Sequence, residues 1–396
     1  MRIDRAVNVR DVERLARRRL PPMAYDFIAG GCDDEFGLAD AEAAFRAWRL
    51  LPRYGVDVAR PKTGAAILGR RFAMPLGIAP TGAAGMFRRG ADLMLAAEAA
   101  AADVPFVLSS VGNDSIEAVM RVAPDHAWFQ IYGTRDPGIA EAMARRAADL
   151  GVTALVVTLD VPATSNRERN RRNGFALPLR LSPSMLLQAM AHPGWTLDYL
   201  AAGGLPTLGN WREFAGEGAS ARAVTAFFAG QFPAPASTWA NLEALRRIWP
   251  RKLVVKGLLH PDDARRAVAL GADAILVSNH GGRQLDRAPA ALDALPAIVA
   301  AVGDSAEVML DGGLRRGADI VVARCLGARF VFAGRPTLYG AVAAGRAGVK
   351  KVLDIFAGEL AIVLAQIGCP DVGALGPQFL LRGSGRRLEP MARDAR

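Results

Sequence analysis

Eight short apolar segments recur along the chain, and each is too short and too rich in β-branched or aromatic residues to favour a helix. Amphipathic stretches of helical length, such as 91–103 and 260–273, lie between most of them. Continuous apolar runs are typical of strands that are covered on both faces in a parallel sheet. The pattern therefore predicts strands within 74–80, 104–110, 127–133, 154–160, 252–257, 274–280, 307–313 and 329–335.

This alternation of strands and helices favours a closed barrel, because eight units are the number that closes one. We therefore predict the α/β class and a (β/α)8 TIM barrel that occupies the whole chain, 1–396, as one domain after a short N-terminal helical segment. A doubly wound open sheet is the alternative, but no GxGxxG turn follows the first apolar segment.

A long connection interrupts the alternation after the fourth apolar segment, and we define the insertion as residues 171–240. An insertion of this length in a compact fold is usually a lid, a binding segment or disordered. Its aromatic residues argue against disorder, and none of its apolar runs reaches the ~18–20 residues needed to span a bilayer. We expect an active-site lid, an oligomer contact or a segment that enters one leaflet of a membrane.

Polar residues or glycines stand at the C-terminal end of every predicted strand. In a (β/α)8 barrel these ends meet at one face, and that face holds the active site. The candidate residues are Pro80, Thr81, Gly82, Ser109, Gln130, Tyr132, Thr158, Asp160, Lys256, Ser278, His280, Arg283, Asp311, Gly313, Gly334 and Arg335.

Among these candidates, His280 and Arg283 follow a buried apolar segment and flank two glycines. An imidazole is suited to act as a base near neutral pH, and a guanidinium can hold a carboxylate by two parallel hydrogen bonds. We expect the glycines to let a ligand approach the backbone. A lone histidine is more often a structural hydrogen-bonding group, but the strand end favours proton abstraction from a small acid.

Glycines and arginines also follow the last two predicted strands, at 311–317 and 333–335. Barrels often bind phosphate in the loops after these strands, although simple tight turns are the alternative for each glycine pair. A phosphate site implies a phosphorylated cofactor or substrate. Lys256 is placed to stabilise a reduced flavin, but these residues alone do not separate a flavin from a sugar phosphate.

Charge and cysteine content argue against several other functions. The net charge is +10, but the arginines are spread along the chain without a basic patch of interleaved aromatic residues, so we expect no nucleic-acid partner. The cysteines Cys32, Cys325 and Cys369 form neither a disulfide framework nor a metal-ligand spacing. We therefore expect no metal and a reducing, cytoplasmic location, and the charged N-terminus, which lacks an apolar signal core, agrees with that location.

Five longer motifs resemble those of the FMN-dependent α-hydroxy-acid oxidase and dehydrogenase family, and the resemblance runs from residue 7 to 380. It implies FMN as the cofactor and a small 2-hydroxy acid as the substrate. The motifs are FQIYG (129–133), TLDVP (158–162), VVKG (254–257), SNHGGRQLD (278–286) and DGGLRRGAD (311–319).

The resemblance also implies roles for individual residues. His280 resembles the active-site base, Asp160 the carboxylate that orients it, and Tyr132 a residue near the α-hydroxyl. The residues that resemble those holding the substrate carboxylate are Tyr25, Arg167 and Arg283. The implied FMN contacts are Pro80, Thr81, Gly82, Ser109, Gln130, Thr158, Lys256, Ser278, Asp311, Gly313, Arg315, Gly334 and Arg335.

Three features resemble the mandelate-oxidising branch of this family. Gly82 stands where many of the oxidases carry alanine, and the missing Cβ leaves room for a phenyl group; segments 167–178 and 364–380 are similar to that branch. The implied reaction is oxidation of (S)-mandelate to benzoylformate (phenylglyoxylate), with a membrane quinone, a similar acceptor or oxygen taking the electrons. L-Lactate is the alternative substrate, and a non-catalytic membrane-bound barrel scaffold is the remote alternative.

The same branch implies a location and an assembly. Its long loop after the fourth strand attaches the enzyme to the inner membrane, so we expect peripheral attachment to the inner face of the cell membrane through the insertion. A homotetramer is also implied by the resemblance. No haem-domain segment precedes residue 1, so we do not expect the flavocytochrome type.

Overall fold

The N-terminal part of the chain forms three helices and a small hairpin. The computed structural model describes residues 1–175, 182–201, 204, 206–234, 237–384 and 387–390. The helices confirm the predicted N-terminal helical segment, whereas the hairpin was not predicted because each of its strands has only three residues. These elements are α1 (Val9–Arg19), α2 (Pro22–Ala29), α3 (Phe36–Arg46), β1 (Trp48–Leu50), β2 (Ala65–Ile67) and β3 (Arg70–Phe72).

Eight parallel strands then close into a barrel, which confirms the (β/α)8 prediction. Each strand pairs with the next along the chain, and the last pairs with the first. The barrel strands are β4 (Leu76–Ile78), β5 (Phe106–Ser109), β6 (Ala127–Tyr132), β7 (Ala154–Thr158), β8 (Lys252–Leu258), β9 (Ala274–Val277), β10 (Glu307–Asp311) and β11 (Phe330–Ala333).

The barrel strands are buried almost throughout, as the continuous apolar segments indicated. Aromatic side chains such as Trp128, Phe330 and Phe332 pack against one another inside this region. Several strands end earlier than the apolar segments suggest; β9, for example, stops at Val277. Some of the polar candidates, such as His280, therefore lie in loops above the barrel, whereas others, such as Lys256 in β8, lie within the strands.

The remaining helices cover the barrel or belong to the insertion, and the C-terminal strands pair antiparallel with each other and with β1. These elements are α4 (Ala91–Ala101), α5 (Ile116–Val122), α6 (Pro137–Asp149), α7 (Glu168–Asn173), α8 (Pro183–Met190), α9 (Pro193–Leu200), α10 (Ala221–Gln231), α11 (Trp239–Ile248), α12 (Pro261–Ala269), α13 (Ala291–Val302), α14 (Gly317–Cys325), α15 (Arg335–Ala344), α16 (Arg346–Gln366), β12 (Leu380–Ser384) and β13 (Arg387–Pro390).

The aromatic residues of the insertion pack inward. Trp195, Tyr199, Trp211 and Phe228 are buried, and the Tyr199 hydroxyl donates a hydrogen bond to the carbonyl of Gly85 at 2.7 Å. These four aromatic side chains are therefore not available to enter a lipid leaflet. Residues 176–181, 202–203, 205 and 235–236 of the insertion lie outside the described residues.

Aliphatic residues of α8 and α9 form the exposed apolar surface of the insertion instead. Five side chains on these two adjacent helices are between 52% and 68% exposed. None of the helices in the described part of the chain is long and apolar enough to cross a membrane. We call this set the aliphatic surface, and it consists of Leu186, Leu187, Met190, Leu197 and Leu200.

Candidate active site

A cleft of about 850 Å³, counting the space at its open mouth, lies at the C-terminal ends of the barrel strands. Two residues of α2, Phe27 and Ile28, close one side of it. The sequence-predicted residues that line the cleft are Pro80, Thr81, Gly82, Tyr132, Lys256, His280, Arg283, Asp311, Gly313, Arg315, Gly334 and Arg335.

His280 and Asp160 form a hydrogen-bonded pair at the edge of this cleft. The His280 Nδ1 atom lies 2.9 Å from Asp160 Oδ1 and 3.1 Å from Oδ2, although 120 positions separate the two residues in sequence. A carboxylate only accepts hydrogen bonds, so Nδ1 carries the hydrogen of a neutral imidazole. The other ring nitrogen, Nε2, is then the atom that can accept a proton.

The surroundings favour a neutral imidazole beside an ionised carboxylate. Burial lowers the pKa of His280 below its ordinary value, and this effect outweighs the opposing charge of Asp160. Burial would raise the pKa of Asp160, but His280 and the charge of Lys256 together hold that pKa below its ordinary value. His280 is therefore in the basic form near neutral pH.

An unusual backbone turn presents His280 to the cleft. Three consecutive residues, His280, Gly281 and Gly282, have positive φ angles of 57°, 63° and 72°. Glycine adopts this left-handed region easily, whereas histidine is strained in it. A Cβ at Gly282 would lie 2.3 Å from the backbone nitrogen of Leu38. The second glycine is thus required by packing against α3, a reason that the sequence pattern did not reveal.

Three arginine side chains, those of Arg167, Arg283 and Arg335, lie beside this turn, and none of them forms an ion pair with a carboxylate among the described residues. Arg283 donates to the carbonyls of Phe27 at 2.7 Å and Gly30 at 3.0 Å. Burial, reinforced by the charges of Arg167 and Arg335, lowers the pKa of the Arg283 guanidinium. A buried cluster of this kind favours a bound anion, since backbone carbonyls cancel little of its charge.

Lys256 supplies a further buried cation at the base of the cleft. Its Nζ atom lies 2.9 Å from Asp311 Oδ2 and donates a 2.5 Å hydrogen bond to Ser278 Oγ. The other carboxylate oxygen of Asp311 and the hydroxyl of Thr81 are buried without a hydrogen-bond partner in the described residues. Both residues line the cleft, so these orphaned polar atoms indicate that the cleft takes a polar ligand.

Four predicted site residues lie inside the barrel rather than on the wall of the cleft. Ser109 Oγ donates to Gln130 Oε1, and Gln130 Nε2 donates to Thr158 Oγ1, each at 3.0 Å. Ser278 completes this buried polar layer through its contact with Lys256. The predicted residues Ser109, Gln130, Thr158 and Ser278 are brought together, but their ligand contacts stay a prediction.

The predicted carboxylate-binding residues Tyr25 and Arg167 do not line the cleft. Tyr25 donates its hydroxyl hydrogen to Glu13 Oε1 at 2.9 Å, and burial together with Glu13 raises the pKa of Tyr25 to about 12. Arg167 donates to Gln284 Oε1 at 2.9 Å. Direct contact of these two side chains with a substrate therefore stays a prediction that this arrangement does not support.

Two aromatic residues of the cleft wall, Phe27 and Phe87, were not predicted as site residues from the sequence. Phe27 and Phe87 both line the cleft, and their ring centroids are 5.4 Å apart. Arg283 lies over the Phe27 ring at 5.1 Å from its centroid. Their apolar side chains carry no chemical motif, and only the fold brings α2 to the barrel face.

The chain resembles known proteins over most of its length. The model of the FMN-dependent dehydrogenase family matches residues 16–382. A (S)-mandelate dehydrogenase of Pseudomonas putida is 42% identical over 94% of this chain and 93% of that protein. An L-lactate oxidase of a Nostoc species is 41% identical over 96% of this chain and 99% of that protein.

A solved structure also resembles the fold over its whole length. The crystal structure of a monotopic membrane protein, (S)-mandelate dehydrogenase, superimposes with a TM-score of 0.91 at 41% sequence identity. The match covers 96% of this chain and 100% of that one.

Proposed function

The chain belongs to the FMN-dependent dehydrogenase family and is an FMN-dependent oxidoreductase of 2-hydroxy acids, and we propose that its substrate is (S)-mandelate, which it converts to benzoylformate. One observation carries this proposal: a neutral histidine, a buried arginine cluster and an aromatic wall meet in one cleft.

The residues of the cleft fit FMN, which accepts two electrons from the substrate when it is bound. The orphaned Thr81 hydroxyl and Asp311 carboxylate oxygen are suited to hydrogen bonding with a flavin ring. Lys256 would hold a positive charge beside that ring. Gly313, Arg315, Gly334 and Arg335 would hold the phosphate at the ends of the last two barrel strands, where this fold commonly binds phosphate.

Arg283 would bind the substrate carboxylate. Its guanidinium is buried among two other guanidiniums, so an incoming carboxylate relieves repulsion that the carbonyls of Phe27 and Gly30 leave in place. Arg167 donates a hydrogen bond to Gln284 instead of lining the cleft, and its positive charge adds to that of Arg283. Binding therefore fixes one end of the 2-hydroxy acid.

His280 would remove a proton from the bound substrate through Nε2, and the Asp160 carboxylate would stabilise the imidazolium that forms. Burial followed by the charge of Asp160 raises the pKa of Tyr132 above its ordinary value, so its hydroxyl remains a hydrogen-bond donor. Tyr132 lines the same cleft and would orient the α-hydroxyl oxygen. His280, Asp160 and Tyr132 would therefore act together on the proton that leaves the substrate.

Two features of the cleft wall support the proposal of an aryl substrate. Gly82 lines the cleft, and a Cβ there would meet Val111 at 3.4 Å, an ordinary contact, so alanine fits at this position and the glycine spares the space of one methyl group. Phe27 and Phe87 offer aromatic surface, and aromatic pairs contribute about 0.5–1.5 kcal/mol beyond buried area. L-Lactate is the second candidate, favoured by the similarity to an L-lactate oxidase.

Anaerobic stopped-flow measurement of flavin reduction tests the substrate. We expect (S)-mandelate to give a larger second-order rate constant than phenyllactate, L-lactate or glycolate. The Gly82→Ala variant should lose about fourfold of this preference, because the added methyl group corresponds to roughly 0.8 kcal/mol and should affect L-lactate less. Faster reduction by L-lactate than by (S)-mandelate in the wild-type protein would replace the proposed substrate with the second candidate.

We also propose that the enzyme attaches to the inner face of the cell membrane. The aliphatic surface supports this proposal because five exposed apolar side chains on two adjacent helices resemble a surface that enters one leaflet. The similar (S)-mandelate dehydrogenase structure is described as that of a monotopic membrane protein. A membrane quinone would then be the electron acceptor, and the homotetramer stays a prediction.

A further inference from the structure

A second groove opens beside the active-site cleft, and we call it the rim groove. The two share Gly313 and Arg315, so the rim groove leads directly to the end of the cleft assigned to phosphate. It contains four arginines and two acidic residues, of which Asp319 accepts hydrogen bonds from the backbone of the loop itself. The rim groove is lined by Asn8, Val9, Arg10, Glu42, Arg46, Gly313, Arg315, Arg316 and Asp319.

Close packing of α3 against the loop after β10 brings Glu42 to this junction. A Cβ on Gly313, where φ is +81°, would lie only 1.9 Å from the carbonyl oxygen of Ala41. No other residue than glycine fits so near the helix backbone. The next residue of the helix, Glu42, therefore stands over the loop, and its Oε1 atom lies 2.9 Å from an Arg315 nitrogen.

A second arginine approaches the other oxygen of the same carboxylate. The Arg10 guanidinium lies 4.0 Å from Glu42 Oε2, and its side chain is 64% exposed, whereas that of Arg315 is 13% exposed. Burial lowers the pKa of the neighbouring Arg335 to about 10, and the charge of Glu42 opposes that shift. Glu42 thus lies within the electrostatic reach of both arginines assigned to the phosphate.

We propose that Glu42 is the counter-ion of Arg315 before FMN binds. The phosphate of FMN then takes the place of the Glu42 carboxylate beside Arg315, and the released carboxylate pairs with Arg10. This inference rests on the proposed function, which gives Arg315 to the phosphate. A flavin phosphate carries roughly 1.5–2 negative charges near neutral pH, as other phosphate monoesters do. An adjacent carboxylate repels it, so Glu42 lowers the affinity for FMN and Arg10 limits this loss.

Titration of the apoprotein with flavins tests the exchange without any reaction. FMN is removed from the purified holoenzyme, and rebinding of FMN or riboflavin is followed by quenching of flavin fluorescence. Glu42→Gln should bind FMN about fivefold more tightly, the size of a partly exposed ion pair, and should bind riboflavin with unchanged affinity. Riboflavin lacks the phosphate, so it also reports whether the fold of the variant is intact.

Arg10→Gln and a double variant test the transfer of the carboxylate. Arg10→Gln should weaken FMN binding severalfold in the wild-type background and by a smaller factor in the Glu42→Gln background, because no carboxylate is then released. Glu117→Gln is the matched control, since Glu117 pairs with Arg146 at the same 2.9 Å but lies in neither groove. It should leave FMN affinity unchanged.

Three results would overturn the inference. They are unchanged or weaker FMN binding by Glu42→Gln, an equal gain for riboflavin, and an Arg10→Gln effect of the same size in both backgrounds. A wild-type apoprotein that binds no FMN would contradict the proposed function instead, so the two failures are distinguishable.

Discussion

At the scale of single residues, the environment of His280 is as important as its identity. The left-handed backbone places the imidazole in the cleft, and the Asp160 carboxylate fixes which ring nitrogen carries the hydrogen. Burial keeps the pKa of His280 below its ordinary value. An exposed histidine without a carboxylate partner would lack the position in the cleft, the fixed tautomer and the lowered pKa.

The lowered pKa of His280 predicts the pH dependence of flavin reduction. The neutral imidazole is the active form, so the rate constant should be at its plateau at neutral pH and should decline only as the pH falls below roughly 6.5, the ordinary value. Stopped-flow reduction across the pH range measures this. A rate constant that falls as the pH rises through neutrality would contradict the assignment.

Asp160→Asn separates the two effects of the carboxylate. The charge of Asp160 raises the pKa of His280, so its loss should move the acidic limb to still lower pH. The plateau should fall by roughly 10²–10⁴-fold, because the amide no longer selects the correct tautomer or stabilises the imidazolium. A variant with a wild-type plateau would show that the pair does not take part in the reaction.

At this scale the sequence predicts which residues reach the cleft better than it predicts which groups they contact. His280, Asp160 and Lys256 were found because each follows an apolar strand, and the structure does bring them to one end of the barrel. The carbonyls of Phe27 and Gly30 that hold Arg283 belong to α2 and the residue directly after it, more than 250 positions earlier in the chain. No local pattern records a contact of that kind.

At the scale of secondary-structure elements, the insertion connects the cleft with the aliphatic surface. Its Phe232 packs against Tyr132 with ring centroids 4.6 Å apart, and Gln188 of α8 accepts a hydrogen bond from the backbone nitrogen of Met23 at 3.0 Å. The inner faces of α8 and α9 are therefore bound to the protein. Their outer faces stay available to a membrane.

The strands were easier to predict than the orientation of the insertion helices. Each barrel strand is buried on both faces, so its apolar run is continuous and visible in the sequence. Trp195 and Leu197 lie two positions apart on α9, yet one is buried and the other is 61% exposed. Hydrophobicity alone does not decide which of them faces the barrel, because that depends on the neighbouring elements.

A pair of charge substitutions tests membrane attachment. Leu187→Glu together with Leu197→Glu should abolish sedimentation with phospholipid vesicles, since each buried leucine contributes roughly 1–2 kcal/mol to insertion. Ile362→Glu is the matched control, because Ile362 is similarly exposed at 58% but lies on α16. Detergent should release the wild-type protein better than high salt does.

Two results would contradict the attachment of the aliphatic surface to a membrane. One is equal sedimentation of the double variant and the wild type. The other is recovery of the wild-type protein in the soluble fraction of cells before salt or detergent is added. Either result would favour a lid or an oligomer contact for this part of the insertion.

At the scale of the whole molecule, the barrel brings residues from seven strand ends, together with residues of α2 and α15, to a single site. His280, Asp160 and Lys256, the proposed base, its partner carboxylate and the proposed cation beside the cofactor, lie at the ends of three different strands, β9, β7 and β8. The proposed phosphate end of the cleft follows β10 and β11. The division of the chain into one domain with an insertion at 171–240 stays a prediction.

The central claim is that His280 takes a proton from a 2-hydroxy acid held beside bound FMN, and anaerobic single-turnover reduction of the His280→Ala holoenzyme tests it most directly. The variant should keep its yellow colour and one FMN per chain, because its FMN-binding residues remain, while reduction by (S)-mandelate falls by at least ~10²–10⁴-fold. Reduction at the wild-type rate with FMN fully bound would contradict the account.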